Sequence, residues 1–247
     1  MITLKKDDEI EKMRVSGAIA AGALRLAAGK VAAGMTTEEL DALIDAFIRS
    51  RGAEASFKGY NGYPASICAS VNDEVVHGIP GKRVLKEGDI ISIDVGTYKG
   101  GFHGDAAMTF PVGKIAGDAE RLLEVTRSAL RKGIEKAVPG NFLGDISHAV
   151  QSEVEANGFS VVRKLVGHGI GRNMHEDPQV PNYGRPGRGV LLREGMVLAI
   201  EPMVNAGGTD VLVLDDHWTV VTADRSLSAH FEHTVAIRES GPDILTS

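Results

Sequence analysis

Two parts of this sequence resemble two other parts that lie much further along the same chain. The first pair is GMTTEELDALIDAFIRSRG and GNFLGDISHAVQSEVEANG, whose leading glycines, Gly34 and Gly140, are 106 residues apart. The second pair is LKEGDIISID and LREGMVLAIE, which an offset of 107 residues aligns so that Asp94 matches Glu201. A period this long indicates an internally duplicated domain rather than a solenoid of short repeats. Two related halves would place a carboxylate from each near a shared cleft.

Length and composition are those of an ordinary globular protein. The chain has 247 residues, of which 43% are hydrophobic and 24% charged, enough for a substantial core. We therefore expect a single domain over residues 1–247, with halves of roughly 1–113 and 114–247.

Charge and cysteine content narrow the class of protein. The net charge of −6 argues against a surface for nucleic acid or anionic lipid, and it leaves room for an acidic cluster that attracts metal cations. The single cysteine, Cys68, excludes an intrachain disulfide and fits a reducing compartment. The charged N-terminus lacks the apolar core of a signal peptide, and Arg25 and Lys30 interrupt the Ala-rich run that follows it. We expect a cytoplasmic protein without a membrane span.

Hydrophobic periodicity predicts four helices and eight strands. The clearest helix covers 37–50, where five apolar residues form one stripe, and Thr36 and Glu39 before it resemble a capping box. The other helices are expected at about 9–26, 118–137 and 143–156. Runs rich in β-branched residues predict strands at 66–71, 90–95, 102–112, 161–166, 196–203, 211–214, 218–221 and 230–237.

A hairpin is predicted within IISIDVGTYKGGFHGDAAMTF. If its turn centres between Lys99 and Gly100, Asp94 lies directly opposite Asp105, on the same face of the sheet. Like charges that oppose each other destabilise a sheet, so something should compensate for the repulsion. A divalent cation would do so, and a raised carboxyl pKa is the weaker alternative. The remaining alternative is a pair of exposed acids on a surface hairpin.

Other acids and one histidine extend this pair into a candidate metal site. Glu201 follows the apolar strand MVLAI and Glu232 lies in HFEHTVAI, and acids on buried strands are seldom left unpaired. The candidate ligands are Asp94, Asp105, His168, Glu201 and Glu232. These five exceed the three protein ligands of a typical catalytic zinc, and carboxylates that bridge would suit two ions about 3.5–4 Å apart. Oxygen-rich ligation with one imidazole favours manganese, iron or cobalt.

The stretch GHGIGRNMHEDP, which contains His168, is not a nucleotide-binding loop. A dinucleotide fingerprint needs GxGxxG at the start of a helix, and the sequence after His175 is not helical.

These motifs together resemble type I methionine aminopeptidases. The matching segments are HGIP at His77, DVGTYKGGFHGDAAMTF, GHGIGRNMHEDPQVPNY, EGMVLAIEP, DHWTVVTAD and SAHFEHTV, which run in order over essentially the whole chain. The resemblance implies an α+β pita-bread fold with two pseudo-symmetric halves, a curved antiparallel sheet and helices packed outside it. It also implies an enzyme that removes the N-terminal initiator methionine when the second residue is small, by attack of a metal-activated water.

The resemblance assigns roles to individual residues. It implies that Asp94 chelates one metal, that His168 and Glu201 chelate the other, and that Asp105 and Glu232 bridge both. It gives Glu201 the role of accepting a proton from the water. The catalytic set is His77, His175 and Glu201, in which His175 contacts the scissile carbonyl and His77 the substrate amide. On the residue alone, a lone histidine such as His77 is as often structural. His103 and His233, near the ligands, are either partners of the ligands or mere neighbours.

A substrate pocket follows from the same resemblance. Its residues are Tyr60, Tyr63, Cys68, His77, Met174, His175 and Trp218. The sequence departs from the family pattern at Phe57, where a cysteine is common, and at Met174, where bacterial members often have phenylalanine. Both residues stay apolar, so we expect methionine selectivity to survive. We expect Cys68 to line the pocket, since the sequence pairs no base with it to make it a nucleophile.

The resemblance also sets the expected cofactors and partners. It implies two divalent metal ions (cobalt, manganese or iron, with zinc or nickel as alternatives) and nascent polypeptide N-termini near the ribosome as substrates. We expect a monomer that binds neither nucleic acid nor membrane. The alternatives are a proline-specific dipeptidase or aminopeptidase of the same fold, which usually has an extra N-terminal domain, and a non-catalytic pita-bread binding module, which tends to lose ligands.

Overall fold

The computed structural model describes all residues from 1 to 247 and has an α+β architecture. The helices are Asp7–Ala28 (α1), Thr37–Ser50 (α2), Gly117–Ile134 (α3) and Leu143–Ala156 (α4), with a short 3₁₀ helix at Tyr60–Gly62. The strands are Glu54–Ala55 (β1), Cys68–Val71 (β2), Glu74–Val76 (β3), Ile90–Lys99 (β4), Phe102–Pro111 (β5), Ser160–Val161 (β6), Gly167–Gly169 (β7), Glu176–Val180 (β8), Val197–Ile200 (β9), Met203–Asn205 (β10), Val211–Val213 (β11), Val220–Thr222 (β12), Ser228–His230 (β13), His233–Arg238 (β14) and Gly241–Ile244 (β15). None of the helices is both long and apolar enough to cross a membrane.

All four predicted helices are present, and α2 has the predicted bounds. Its capping box forms as expected: the Thr36 hydroxyl accepts a hydrogen bond from the backbone N–H of Glu39 at 3.3 Å, and the Glu39 carboxylate accepts one from the backbone N–H of Thr36 at 2.7 Å. The two bonds satisfy backbone donors that a helix start otherwise leaves free.

The strands depart from prediction where the chain passes from one sheet to another. The predicted strand at 161–166 is wrong, because β6 ends at Val161 and the next strand begins only at Gly167. The predicted strand at 230–237 is two strands, β13 and β14, which pair with different neighbours and are separated by Phe231 and Glu232. A run of strand-forming residues indicates an extended backbone, but it does not indicate which sheet the strand joins.

The strands form four antiparallel sheets. In the first half β4 pairs with β2, β1 and β5, and in the second half five strands follow the order β15-β14-β9-β7-β8. Two three-stranded sheets, β13-β10-β6 and β11-β12-β3, complete the fold. Helix α1 packs on β4 and β5, whereas α3 and α4 pack on each other and α3 contacts β9, β10 and β13. Each helix pair covers its own apolar core, of 19 buried residues in the first half and 24 mainly in the second.

The β4–β5 hairpin forms, but its predicted register is wrong. Gly100 and Gly101 make the turn with φ of 62° and 88°, so Asp94 pairs with Ala107 and Asp105 with Gly96. A two-residue turn of this kind needs positive φ at both central positions, which glycine adopts without a steric penalty. The partner of Asp94 therefore shifts by two residues. A shift of two keeps side chains on the same face, so both acids still project to one side.

A contact between two glycine backbones brings α1 onto the strand that carries Asp105. A Cβ atom added at Gly104 would lie 2.5 Å from the backbone nitrogen of Gly17, and one added at Gly17 would lie 2.3 Å from the carbonyl oxygen of Leu245. Only residues without a side chain fit at this crossing.

We expect Gly104→Ala to lower the free energy of unfolding by about 1–3 kcal/mol, since the new methyl group must displace the α1 backbone. Urea unfolding would measure the change. Gly117→Ala is the matched control, because nothing lies within 4 Å of a Cβ at that position, and it should change stability by less than about 0.5 kcal/mol. Equal effects of the two substitutions would show that the close approach of α1 to β5 is not tight.

Candidate metal centre and substrate pocket

One cavity of about 220 Å³ contains every residue predicted for the site. Its lining residues are Phe57, Tyr60, Asn61, Tyr63, Cys68, His77, Asp94, Asp105, His168, Met174, His175, Glu201, Trp218 and Glu232. A larger cleft of about 650 Å³ runs between α3 and α4, but its polar lining includes none of these residues. The smaller cavity is therefore the candidate site.

Strand pairing brings the five candidate ligands together. Asp94 and Asp105 lie on β4 and β5, and His168 lies on β7, which pairs with β9. Glu201 directly follows β9 and Glu232 directly precedes β14, and β9 pairs with β14. The four-stranded sheet of β4 and β5 and the five-stranded sheet of β7, β9 and β14 thus both contribute ligands to the cavity.

The ligand atoms are close enough to share metal ions. One side-chain ligand atom from each of Asp105, His168 and Glu232 lies within 4.8 Å of the others. Glu201 Oε1 is 3.6 Å from His168 Nε2, and the carboxyl of Asp94 adjoins that of Asp105.

Burial changes the protonation of these groups. Burial, and then the charges of neighbouring acids, raise the pKa of Asp94, Glu201 and Glu232 well above their ordinary values. Burial likewise raises the pKa of Asp105 to about 7. Burial, followed by the nearby His175, lowers the pKa of His168 to about 4, so this imidazole is neutral at pH 7, as a metal ligand must be. No lysine or arginine lines the cavity to balance the acids.

Unsatisfied atoms show that the residues fit a metal. Asp94 Oδ1, Asp105 Oδ1 and Glu232 Oε1 are buried without a hydrogen-bond partner. Buried polar atoms in folded proteins are nearly always paired, so three such oxygens around one cavity call for a cation. Carboxylate oxygens with one neutral imidazole are the donors that divalent ions of intermediate hardness prefer.

The two substrate-side histidines are held in different ways. His175 Nδ1 lies 2.8 Å from the hydroxyl of Tyr60, and the His175 ring packs 4.2 Å from that of His168. When the Tyr60 hydroxyl donates to Nδ1, the remaining imidazole proton is on Nε2 and is free to donate elsewhere. His77 has a left-handed backbone with φ of 60°, a strained conformation for a residue with a side chain. Burial lowers the pKa of His175, and it lowers that of His77 to about 4, so both rings are neutral.

An apolar pocket adjoins the acids. Phe57, Tyr63, Ala65, Cys68 and Met174 form a small buried cluster, and Tyr60, Ile79 and Trp218 pack against it. The Tyr63 hydroxyl is 3.0 Å from the carbonyl oxygens of Ile67 and Gly78, so it bonds to the protein itself. Burial, followed by the charge of Asp94, raises the pKa of the Cys68 thiol well above its usual value. A protonated, buried thiol suits pocket lining and not nucleophilic attack.

Comparison with known proteins decides the family. The model of "Metallopeptidase family M24" matches residues 11–239. This chain belongs to metallopeptidase family M24. It is 59% identical to the methionine aminopeptidase of Clostridium perfringens and 56% identical to methionine aminopeptidase 1 of Bacillus subtilis, in each case over 100% of this chain and 99% of the relative.

Solved structures confirm the fold of this M24 chain. The crystal structure of methionine aminopeptidase from Thermotoga maritima superposes with a TM-score of 0.99 at 50% identity, and each chain covers 100% of the other. The prolidase of Pyrococcus furiosus superposes with a TM-score of 0.81 at 23% identity, which covers 99% of this chain and 65% of the prolidase and shows the fold alone. The pita-bread fold and the resemblance to methionine aminopeptidases are thus confirmed. The chain is a metal-dependent peptidase that uses divalent metal ions.

Sequence reasoning missed a buried histidine behind the metal centre of this M24 enzyme. His230 is 1% exposed, and its Nε2 lies 3.7 Å from Glu201 Oε2. Burial, followed by His77, lowers its pKa to about 3. The available signal was its spacing: it stands two residues before Glu232, and alternate residues of an extended chain face the same side.

The other histidines near the ligands do not line the cavity. His103 Nδ1 lies 2.8 Å from the Ser56 hydroxyl, and His233 Nδ1 lies 2.8 Å from the Thr246 hydroxyl. Both rings therefore bond to side chains outside the metal centre.

We expect the metal-free enzyme to lose stability as the pH rises from 7 to 8. The buried histidines are largely neutral in both the folded and the unfolded chain over this range, so they contribute little slope. The cavity carboxyls favour their protonated forms in the folded state, with a pKa of about 7 for Asp105, while the unfolded chain is fully ionised. The folded state therefore binds more protons, and its stability falls as the pH rises through the folded-state pKa values.

Urea unfolding with EDTA at pH 7 and pH 8 would measure this fall. Asp105→Asn should reduce it, because the amide removes one titrating group and its repulsion, whereas the exposed control Asp118→Asn should behave like the wild type. A fall of the same size in Asp105→Asn and in the wild type would contradict the assignment.

Proposed function

We propose that this M24 enzyme removes the N-terminal methionine from nascent proteins and peptides whose second residue is small. The observation that carries the proposal is one cavity of about 220 Å³ that is lined both by a carboxylate-rich cluster and by an apolar cluster. Full-length relatives with 44–59% identity are named methionine aminopeptidases, which supports the same activity.

We propose that the centre holds two divalent ions, with cobalt, manganese or iron preferred to zinc or nickel. Asp94 would hold one ion, His168 and Glu201 the other, and Asp105 and Glu232 both. When bound, such ions supply Lewis acidity and a water whose pKa is lowered toward about 7. Glu201, as an ionised carboxylate at the edge of the cavity, would accept a proton and return it to the leaving amine.

The cavity itself selects the substrate. Its volume of about 220 Å³ is below the roughly 300–1,000 Å³ of typical ligand pockets, so it accepts little more than one side chain and its amine. The flexible thioether of methionine suits the apolar wall of Tyr63, Cys68 and Met174. The free α-amine would lie at the other end of the cavity, beside the metal-binding residues.

Two histidines would act on the peptide bond. A His175 ring whose Nδ1 accepts from Tyr60 presents an Nε2–H to the scissile carbonyl oxygen, where negative charge develops in the transition state. His77 lies across the pocket beside Trp218, with ring centres 6.3 Å apart, and would contact the substrate amide.

The alternatives have less support. The solved prolidases, the Xaa-Pro dipeptidase and the X-Pro aminopeptidase share the fold at 20–23% identity, and this chain covers only 62–65% of their length. A non-catalytic module would not need the complete set of ligands that this cavity holds.

The proposed setting follows from the substrate. Since nascent N-termini emerge from the ribosome, we propose that the enzyme acts in the cytoplasm near it. We also propose that the enzyme is a monomer without nucleic acid or membrane partners. We also propose that its halves, roughly 1–113 and 114–247, form one duplicated catalytic domain.

His175→Ala should lower kcat by about 100- to 1,000-fold, since it removes a donor to the developing oxyanion, and should leave the metal content unchanged. Steady-state kinetics and elemental analysis of the purified variant would measure both. Loss of metal instead would make His175 a ligand.

The substrate series tests the function itself. Met-Gly, Met-Ala and Met-Ser peptides should be cleaved, and Met-Lys or Met-Leu peptides at least about 100-fold more slowly, because a bulky second residue displaces the carbonyl by about 1 Å. An N-acetylated Met-Ala peptide should resist, since its amine is blocked. Preference for X-Pro dipeptides without methionine would favour the proline-peptidase alternative.

A further inference from the structure

An unpaired nitrogen lies directly behind a proposed metal ligand. His230 Nε2 is buried without a hydrogen-bond partner, although both backbone groups of His230 bond to the Thr109 hydroxyl at 2.9 Å. Its nearest acidic neighbour is Glu201 Oε2, at 3.7 Å. The backbone of His230 is thus anchored, while the Nε2 atom of its ring has no partner.

The buried unpaired atoms of the whole chain are three acceptors and one imidazole nitrogen, which donates when it carries the ring proton. Three are carboxylate oxygens, of Asp94, Asp105 and Glu232, and the fourth is His230 Nε2. The carboxylate oxygens line the cavity, whereas His230 lies outside its lining. A protonated His230 Nε2 would therefore supply a donor next to a cluster whose unpaired atoms are all acceptors.

The two oxygens of Glu201 face two histidines with opposite properties. Oε1 is 3.6 Å from His168 Nε2, and the Nδ1–H of His168 donates to the carbonyl oxygen of Gly169 at 2.9 Å. His168 therefore directs an unprotonated Nε2 towards the cluster, as a ligand does. Oε2 faces His230, whose Nε2 has no such constraint.

We propose that His230 is a positioning residue whose Nε2–H donates a hydrogen bond to Glu201 Oε2 and so directs Oε1 to the metal. His230 Nε2 and Glu201 Oε2 are 3.7 Å apart. A displacement of the Glu201 carboxylate by under about 1 Å would shorten this distance to the roughly 2.9 Å of a charge-assisted hydrogen bond. An ionised Glu201 among three other acids then has a donor on the side away from the metal. The inference rests on the proposed role of Glu201 as a ligand.

The alternative is that His230 only fills space between the sheets. If His230 only fills space, replacing it with a side chain of similar volume should affect metal affinity equally whether or not the new side chain can donate a hydrogen bond. A donor that orients a ligand gives a different result, because partners of metal ligands typically contribute 10- to 100-fold to metal affinity.

Two variants of His230 separate these roles. Calorimetric titration of each metal-depleted protein with Mn²⁺ gives the dissociation constants. His230→Leu, which lacks a donor, should weaken Mn²⁺ binding by about 10- to 100-fold, and His230→Gln, which keeps an N–H, should stay within about threefold of the wild type. The metal-free melting temperature of His230→Leu should equal or exceed that of the wild type, since the substitution removes an unpaired buried polar atom.

Met203→Leu is the packing control. Met203 pairs with His230 across β10 and β13 and is 1% exposed, so the substitution alters the packing beside the ring without touching the donor. It should leave Mn²⁺ affinity unchanged. Wild-type affinity in a folded His230→Leu protein, or equal losses in the Leu and Gln variants, would overturn the proposal.

A measurement on the unmutated side chain covers the case in which His230→Leu does not fold. Nitrogen-15 NMR of the Zn²⁺-loaded wild type, assigned with His230→Gln, reports whether Nε2 carries the proton. A protonated Nε2 supports the hydrogen bond, and an unprotonated one overturns it. These readouts do not depend on peptide cleavage. If the wild type binds Mn²⁺ and the variants behave as expected but no Met-Ala peptide is cleaved, the proposed function fails and the role of His230 stands.

Discussion

Four carboxylates packed into one small cavity repel one another, and the rest of this structure is arranged to hold them there. Asp105 and Glu232 are 4% and 3% exposed, and no lysine or arginine reaches the cavity. Burial alone would favour the protonated acids, as their raised pKa values show. Divalent cations reverse that preference because they pair with the ionised forms. The two apolar cores and the sheets that pack on them hold the acids together before metal ions bind.

The neutral surroundings of this acidic centre determine what it can act on. Apolar and aromatic residues close one side of the cavity, so an unbranched apolar side chain is favoured there, beside a free α-amine. His77, His168 and His175 are neutral at pH 7 because burial lowers their pKa values, and they therefore accept or donate without adding positive charge. When the Tyr60 hydroxyl donates to His175 Nδ1, the Nε2 of His175 is the nitrogen that can donate. Specificity and chemistry thus depend on the same buried surface.

Much of the fold was predictable because local signals agree with the tertiary structure. The helix at 37–50 was correct at both ends, since an apolar stripe and a capping box indicate the same boundaries. The β4–β5 turn lies one residue later than predicted because Gly100 and Gly101 both adopt positive φ, which is a local turn preference. Elsewhere the local signals failed because distant parts of the chain decide the outcome. The run at 230–237 divides at Glu232 because its two parts join different sheets. The error in the predicted register did not affect the prediction of the site, since a shift of two residues keeps a side chain on the same face of the strand.

The sequence by itself determined the chemistry available to this protein. It contains the acids and histidines of a metal centre at recognisable spacings, two similar segments that align Asp94 with Glu201, and motifs of one peptidase family. Only the tertiary structure decided that these residues share one cavity, that three carboxylate oxygens there lack a partner, and that His230 stands behind Glu201. The physical reason is that spacing along the chain specifies which face a side chain occupies. Burial and the identity of neighbours instead depend on how separate sheets pack, which involves residues more than a hundred positions apart.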